Sequence, residues 1–160
     1  MILADHSDDA YINVSHARSR TGAHIVLSDN TPVTSINGPV LTIVQIIKNL
    51  MSSAVEAELS GLFICAKAMV PLWNTLMQMD WPQLPSTFQC DNSTAIGVTN
   101  KTMVNKMLKS MDMRLWWLRY RYSQDHFCYY WATGNQNLAD YSTKHHPPLY
   151  HLSHRPTHKE

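Results

Sequence analysis

Met51-Ser52-Ser53-Ala54-Val55-Glu56-Ala57-Glu58 reads as the first turn of a helix, and what stands on either side of it decides the fold. Ser53 can cap the free amides, while Glu56, three residues on, can reach back in a capping box. The apolar residues Leu59, Leu62, Phe63, Ala66, Met69 and Val70 then recur at three and four, the spacing of a helix that lays one face on a sheet. Pro71 interrupts that helix or restarts it, because it has no amide proton for the preceding turn.

Upstream, three segments read as strands. Ile2 to Asp8 begins almost at the first residue, which leads to the expectation that the chain was cut from something longer. After a polar stretch with Arg18 and Arg20, Gly22 to Leu27 runs into the turn residues Ser28-Asp29-Asn30. Val40 to Ile47 follows Asn37-Gly38-Pro39 and is rich in β-branched side chains, as expected of a strand packed on nearly both faces. Downstream come a loop at Pro82-Gln83-Leu84-Pro85, a short strand from Ser86 to Cys90, and a brief helix through Val98 that Asp91, Asn92 or Ser93 can cap. Val104, Met107, Leu108, Met111, Leu115, Leu118 and Tyr122 keep helical spacing in a long helix. Phe127 to Trp131 is the last strand and Asn137 to Lys144 a short helix. The order predicts an α/β domain with a mixed sheet flanked by helices. It is expected to span residues 1–150, with a truncated first strand, and 151–160 to form a flexible tail rich in His and Pro.

At 160 residues the chain is long enough for one domain with its own core. The net charge of +1 discriminates little, since phosphate binding depends on where positive charge lies. Cys65, Cys90 and Cys128 are odd in number and far apart, which argues against a disulfide framework or paired thiolate zinc ligands. No run approaches the ~18 apolar residues of a membrane span, and the start lacks the pattern of a secretory signal. The expectation is an intracellular protein of cytoplasm or nucleus, with no membrane partner.

Four acids fall where elements meet: Asp8 on the first strand, Glu58 on the first helix, Asp91 after the fourth strand and Asp140 on the last helix. Hard divalent ions prefer oxygen donors, and a two-metal phosphoryl-transfer site needs several carboxylates converging on ions about 4 Å apart. Taken singly, each acid is as readily a surface charge or a helix cap. Two positions along a helix lie about 200° apart around its axis, so Glu56 and Glu58 cannot both face one site. The capping box accounts for Glu56, and the swapped assignment stays open. Asp8 and Asp9 likewise point to opposite faces of a strand.

Ser7-Asp8-Asp9-Ala10-Tyr11, followed by Ala17-Arg18-Ser19-Arg20-Thr21-Gly22, resembles the opening of the ribonuclease H domain of copia-type retrotransposon Pol polyproteins. Ser52-Ser53-Ala54-Val55-Glu56-Ala57-Glu58 is similar to the family's Ser-Ser-x-x-Glu-Ala-Glu block. Cys90-Asp91-Asn92-Ser93-Thr94-Ala95, Met111-Asp112-Met113-Arg114 and Asn137-Leu138-Ala139-Asp140-Tyr141-Ser142-Thr143-Lys144 continue the resemblance in order from about residue 5 to 150. The resemblance implies a ribonuclease H-like fold with a five-stranded mixed sheet, three antiparallel strands and then two parallel ones. It implies Asp8, Glu58, Asp91 and Asp140 as ligands of two Mg²⁺ or Mn²⁺ ions, an RNA–DNA hybrid as substrate, and an upstream reverse transcriptase domain in the parent polyprotein. Asp9 stands where relatives carry a small residue and adds negative charge near the site. Ala132 to Gln136 lacks the histidine that many cellular ribonucleases H have before the last aspartate.

Between Lys101 and Arg121 six basic residues, Lys101, Lys106, Lys109, Arg114, Arg119 and Arg121, face the single acid Asp112. Lys106 and Lys109, with Arg18, Arg20, Asn92, Ser93 and Asn137, are the candidates for nucleic-acid contact. Helical periodicity accounts for Trp116, Trp117 and Tyr120 as inward packing, and capping accounts equally for Asn92 and Asn137. His145, His146, His151, His154 and His158 read as part of the tail rather than as zinc ligands. A catalytically inactive nucleic-acid-binding remnant of the same domain is the competing function. An integrase-type strand-transfer nuclease shares the sheet, but the Leu138-Ala139-Asp140 ending speaks against it.

Overall fold

The structure, a computed structural model, describes residues 1–29, 38–101 and 112–154. Its centre is β1 (Ile2–Val14), which pairs antiparallel with β2 (Arg18–Ser28) on one side and parallel with β4 (Ser86–Cys90) on the other. β3 (Leu41–Ile46) adds antiparallel to β2, and β5 (Phe127–Trp131) adds parallel to β4, so the sheet runs β3-β2-β1-β4-β5. This is the mixed five-stranded sheet that the element order implied.

β1 runs well past its expected end at Asp8 because the hairpin with β2 continues through Asp8↔Gly22 and Ala10↔Arg20 before shifting register to Val14↔Arg18. Polar side chains on β1 misdirect a reading based on hydrophobicity, whereas the backbone ladder does not depend on them. A 3-10 turn at Ser15–Ala17 closes the hairpin, with His16 and Ala17 in the left-handed region at φ 64° and 54°. β3 corrects a second expectation. It is an edge strand with most of its residues exposed, Val44 at 50% and Ile46 at 42%, and its β-branched residues suit an extended edge as well as a buried centre.

α1 (Ala54–Gln78) lays Leu59, Leu62, Ala66 and Met69, all fully buried, on the sheet. Pro71 does not break it. That residue faces solvent, and its carbonyl accepts a hydrogen bond from Thr75 Oγ1 at 2.9 Å. The core between α1 and the sheet centres on Phe88, whose ring meets Phe127 edge-on at 4.9 Å. α2 (Ser93–Thr99) and α3 (Asp112–Ser123) follow β4, and α3 packs Leu115 and Leu118 inward. Residues 102–111, which hold the first half of the expected long helix, lie outside the described residues.

The chain then returns to the opposite face of the sheet. α4 (Asp140–Thr143) is shorter than the expected 137–144, because Gly134–Gln136 forms a 3-10 turn and Asn137 is turned inward. The helix sits so close over β2 that a Cβ at Gly22 would come within 2.7 Å of Thr143 Cγ2 and 3.3 Å of the Ala139 carbonyl oxygen. α5 (Pro148–His154) occupies part of the segment expected to be an unfolded tail. His146, Tyr150 and His154 form a column of stacked rings 4.0 and 3.9 Å apart, which gives this short helix its packing. Residues 155–160, with His158, lie outside the described residues.

Gly22→Ala is therefore expected to destabilise the protein by about 1–3 kcal/mol. Combining it with Thr143→Ser, which removes the opposing methyl and keeps the hydroxyl, should recover a large part of that loss. Urea unfolding of the two single variants and the double variant measures the coupling, and strictly additive losses would contradict the close approach.

Candidate metal centre

Three devices deliver the four acids to one end of the sheet. The β1–β4 register runs Ala4↔Thr87, Asp5↔Phe88, His6↔Gln89, and continuing it brings Asp8 level with Asp91, the first residue past β4. The start of α1 sets Glu58. Ser53 Oγ accepts from the Glu56 amide at 3.2 Å, and the Glu56 carboxylate accepts from the Ser52 amide at 2.8 Å and the Ser52 hydroxyl at 2.7 Å. The cap thus reaches back one residue further than expected. It holds Glu56 at the helix end while Glu58 faces Cys90 and Asp91.

Asn137 sets α4. Its Nδ2 donates to the Ser7 carbonyl at 2.6 Å and its Oδ1 accepts from the Ala139 amide at 3.1 Å, so the segment leading to Asp140 is tied to β1 beside Asp8. His6 Nδ1 adds a second tether by accepting from the Leu138 amide at 3.4 Å.

The acids form two linked pairs. A Glu58 carboxylate oxygen, Cys90 Sγ and an Asp91 carboxylate oxygen all lie within 4.8 Å of one another. Lys144 joins the other two, its Nζ lying 3.6 Å from Asp8 Oδ1 and pairing with Asp140 Oδ1, while Thr143 Oγ1 donates to Asp8 Oδ2. The pairs also feel one another's charge. Glu58 is pushed up to about 8 by burial and then by the charges of Asp91 and Asp8. Burial likewise raises Asp8, opposed by Thr143 and Lys144 and reinforced by Asp140 and Asp91. Burial works against the charge of Lys144, yet its bond to Asp140 and the charges of Asp8, Asp140 and Asp91 raise it above its ordinary value.

The donor set fits hard divalent cations. With all four carboxylates ionised, one ammonium leaves them undercompensated, and their mutual charge adds to burial in raising Asp8 and Glu58. Among the described residues Cys90 is the single soft donor beside these carboxylates, and without metal burial and then the charge of Glu58 push its thiol far up, which disfavours a thiolate there. What remains is carboxylate oxygen, which suits Mg²⁺ or Mn²⁺.

Asp9 lies on the other face of β1 from Asp8. It is buried, its carboxyl occupies the space where a side chain at Gly61 would begin, and burial followed by the charge of Glu58 raises it well above the usual carboxylate range. Other expected contacts are redistributed. Asn137, a candidate for nucleic-acid contact, is 5% exposed with both ends of its amide spent inside the protein, which corrects that assignment. Asn92 uses Oδ1 to cap α2, accepting from the Thr94 and Ala95 amides at 3.1 Å each, while the neighbouring Ser93 is exposed. Arg18 is exposed and Arg20 half-buried, and Arg20, opposite Ala10, shares the sheet face of Asp8. Both belong to β2 rather than to a polar turn. Lys106 and Lys109 lie outside the described residues.

The basic helix turns three of its cations inward. Arg114 Nη1 donates to Ser60 Oγ at 3.2 Å, Arg119 forks onto the Val98 carbonyl at 3.0 and 2.6 Å, and Arg121 lies over the Trp117 ring at 5.1 Å. Trp117 packs edge-on against Phe63 as periodicity suggested, whereas Trp116 and Tyr120 point outward at 61% and 58% exposure.

Sequence reasoning missed three neighbours of the acids. In the sequence Lys144 and Cys90 stand only as ends of two of the resembling blocks, and His146 reads as tail. The His146 Nε2 lies 3.1 Å from the Asp140 carbonyl oxygen and 3.7 Å from Asp140 Oδ2. The adjacency of Lys144 and His146 to Asp140 in sequence was the available signal.

No protein-family model matches the chain, and no curated protein matches it. Solved structures do. The N-terminal RNase H domain of rv2228c from Mycobacterium tuberculosis superposes with a TM-score of 0.63 at 15% identity, over 88% of this chain and 89% of that one. LC11-RNase H1, isolated from compost by a metagenomic approach, in complex with an RNA/DNA hybrid gives a TM-score of 0.64 at 10% identity, over 88% and 92%. RNase H1 from the halophilic archaeon Halobacterium salinarum gives 0.58 at 14%, over 89% and 94%. The chain has the ribonuclease H-like fold.

Without metal, the folded protein holds the Glu58 proton up to about pH 8, whereas the unfolded chain releases it near 4.5. The folded state binds more protons across that window, so stability is expected to fall as pH rises from 4.5 to about 8 and to level off above it. Urea midpoints in the presence of a chelator should show that slope, Glu58→Gln should make it shallower while the raised Asp8 and Asp9 keep part of it, and Mg²⁺ or Mn²⁺ should raise the midpoint at the alkaline end. A parent midpoint that climbs through the window would contradict the electrostatics of the site.

Proposed function

We propose that the chain is a metal-dependent ribonuclease H that hydrolyses the RNA strand of RNA–DNA hybrids, the ribonuclease H domain of a copia-type retrotransposon Pol polyprotein. The observation that carries the reading is that Asp8, Glu58, Asp91 and Asp140, from four separate elements, converge at one end of the sheet. The hybrid bound by the similar LC11-RNase H1 supports the substrate. The sequence blocks around Asp8, Glu58, Asp91 and Asp140 support the copia-type origin, and with it an upstream reverse transcriptase domain and an intracellular setting.

Asp8, Glu58, Asp91 and Asp140 would hold two divalent ions, Mg²⁺ or Mn²⁺. Such ions, when bound, polarise a phosphoryl oxygen and lower the pKa of water enough for attack at neutral pH. The chain's own groups prepare the site. Thr143 Oγ1 fixes the Asp8 carboxylate, and Lys144 offsets repulsion between Asp8 and Asp140. Arg20, on the sheet face of Asp8, and the exposed Arg18 and Ser93 would contact phosphates of the strand. His146 Nε2 stands at the edge of the site, 3.7 Å from Asp140 Oδ2.

Incubating the purified chain with a labelled hybrid is expected to cleave only the RNA strand, and only with Mg²⁺ or Mn²⁺. Asp91→Asn should reduce the rate by more than about a hundredfold while the fold persists. Lys144, already paired with two of the acids, favours the second reading, an inactive nucleic-acid-binding remnant. A parent protein that binds the hybrid and leaves its RNA intact would establish that reading instead.

A further inference from the structure

Cys90 is fully buried at the last position of β4, between two of the candidate ligands. Its Sγ lies 3.4 Å from Glu58 Oε2 as donor and accepts from the Asn92 amide at 3.4 Å. Among the described residues it is the one hydrogen-bond donor to the Glu58 carboxylate. The terminal torsion of a glutamate has a broad minimum, so a carboxylate with no donor swings freely, and one fixed oxygen removes that freedom. The other side of the thiol is equally constrained. Asn92 caps α2, the Ala132 amide donates to the Cys90 carbonyl at 3.2 Å, and the Trp131 indole donates to the Asp91 carbonyl at 2.9 Å.

We propose that Cys90 is a positioning residue of the metal centre, whose thiol links the Glu58 carboxylate to the turn that carries Asp91 and so fixes the two donors relative to one another. The inference rests on the reading of these acids as metal ligands and adds to it a part for the side chain that lies between two of them. A partner one step removed from the ion that orients a ligand typically changes metal affinity by about 10–100-fold when lost.

Titration calorimetry of Mn²⁺ into the whole chain tests it without any turnover. Cys90→Val keeps apolar volume in the pocket and removes the donor, and Cys90→Ser restores a donor of similar shape. The expected result is Mn²⁺ binding weakened about 10–100-fold in Cys90→Val and returned to within about threefold of the parent in Cys90→Ser. In cleavage assays the Mn²⁺ concentration for half-maximal rate should rise in Cys90→Val while the rate at saturation is largely kept. Cys90→Val binding Mn²⁺ as tightly as the parent would overturn the proposal. A parent that binds no Mn²⁺ would overturn it together with the metal-centre reading. A parent that binds Mn²⁺, loses affinity in Cys90→Val and leaves the hybrid uncut would sink the nuclease reading alone.

Discussion

Asp8 and Glu58 carry charge out of water at the end of the central strands, and their repulsion with Asp91 and Asp140 is the force that the surrounding structure has to balance. Left alone, four carboxylates would spread apart or take up protons. Here the backbone denies them the first option. Each is attached to a different element, and each element is fixed by contacts that do not involve the acids: the β1–β4 ladder, the Ser52–Glu56 cap, the Asn137 tether and the Asn92 cap. Lys144 and Thr143 relieve part of the strain on one side, and Cys90 relieves part on the other. Burial first and that repulsion second hold Asp8 and Glu58 above the ordinary carboxylate range, so proton uptake takes the remainder.

The two faces of β1 divide the labour. Toward α4 the strand shows Asp8, and β2 offers Gly22, a residue without a side chain, so that the Asp140 helix can come close. Toward α1 the same strand meets the large apolar core built on Leu59, Leu62 and Phe88. A rigid core on one face and a close, polar approach on the other let a short helix of one turn hold an acid in place. Binding sites are held best when the elements beneath them cannot move, and α4 borrows its rigidity from β1 and β2.

Much of this could be read in the sequence where local rules and tertiary structure agree. Ser53 and Glu56 announced α1, Ser86–Cys90 and Phe127–Trp131 appeared as strands within their observed bounds, and Asp91 and Asp140 stood at element ends. The failures have physical causes. β1 continues past Asp8 because pairing with β2 outweighs the polarity of its own residues. β3 looked central because β-branched residues fill exposed edges as well as cores. Asn137 looked like a binder because an asparagine that ties two backbone segments is indistinguishable, in one dimension, from one that faces a ligand. Lys144, His146 and Cys90 came to the acids only through folding distances that no periodicity encodes.

Asp9 and Gly61 carry a lesson about how such a sequence can change. The carboxyl of Asp9 occupies the volume into which any side chain at position 61 would have to grow, so the two residues are not independent letters. Glycine inside a helix costs about 1 kcal/mol relative to alanine, and drift would ordinarily be free to recover it. With Asp9 in place that route is shut. Alanine at 61 becomes admissible only after residue 9 has shortened, so the order of substitutions matters and a lineage bearing this pair can move away from it in one direction first. The neighbour of a candidate ligand thereby constrains the history of a helix on the far side of its strand.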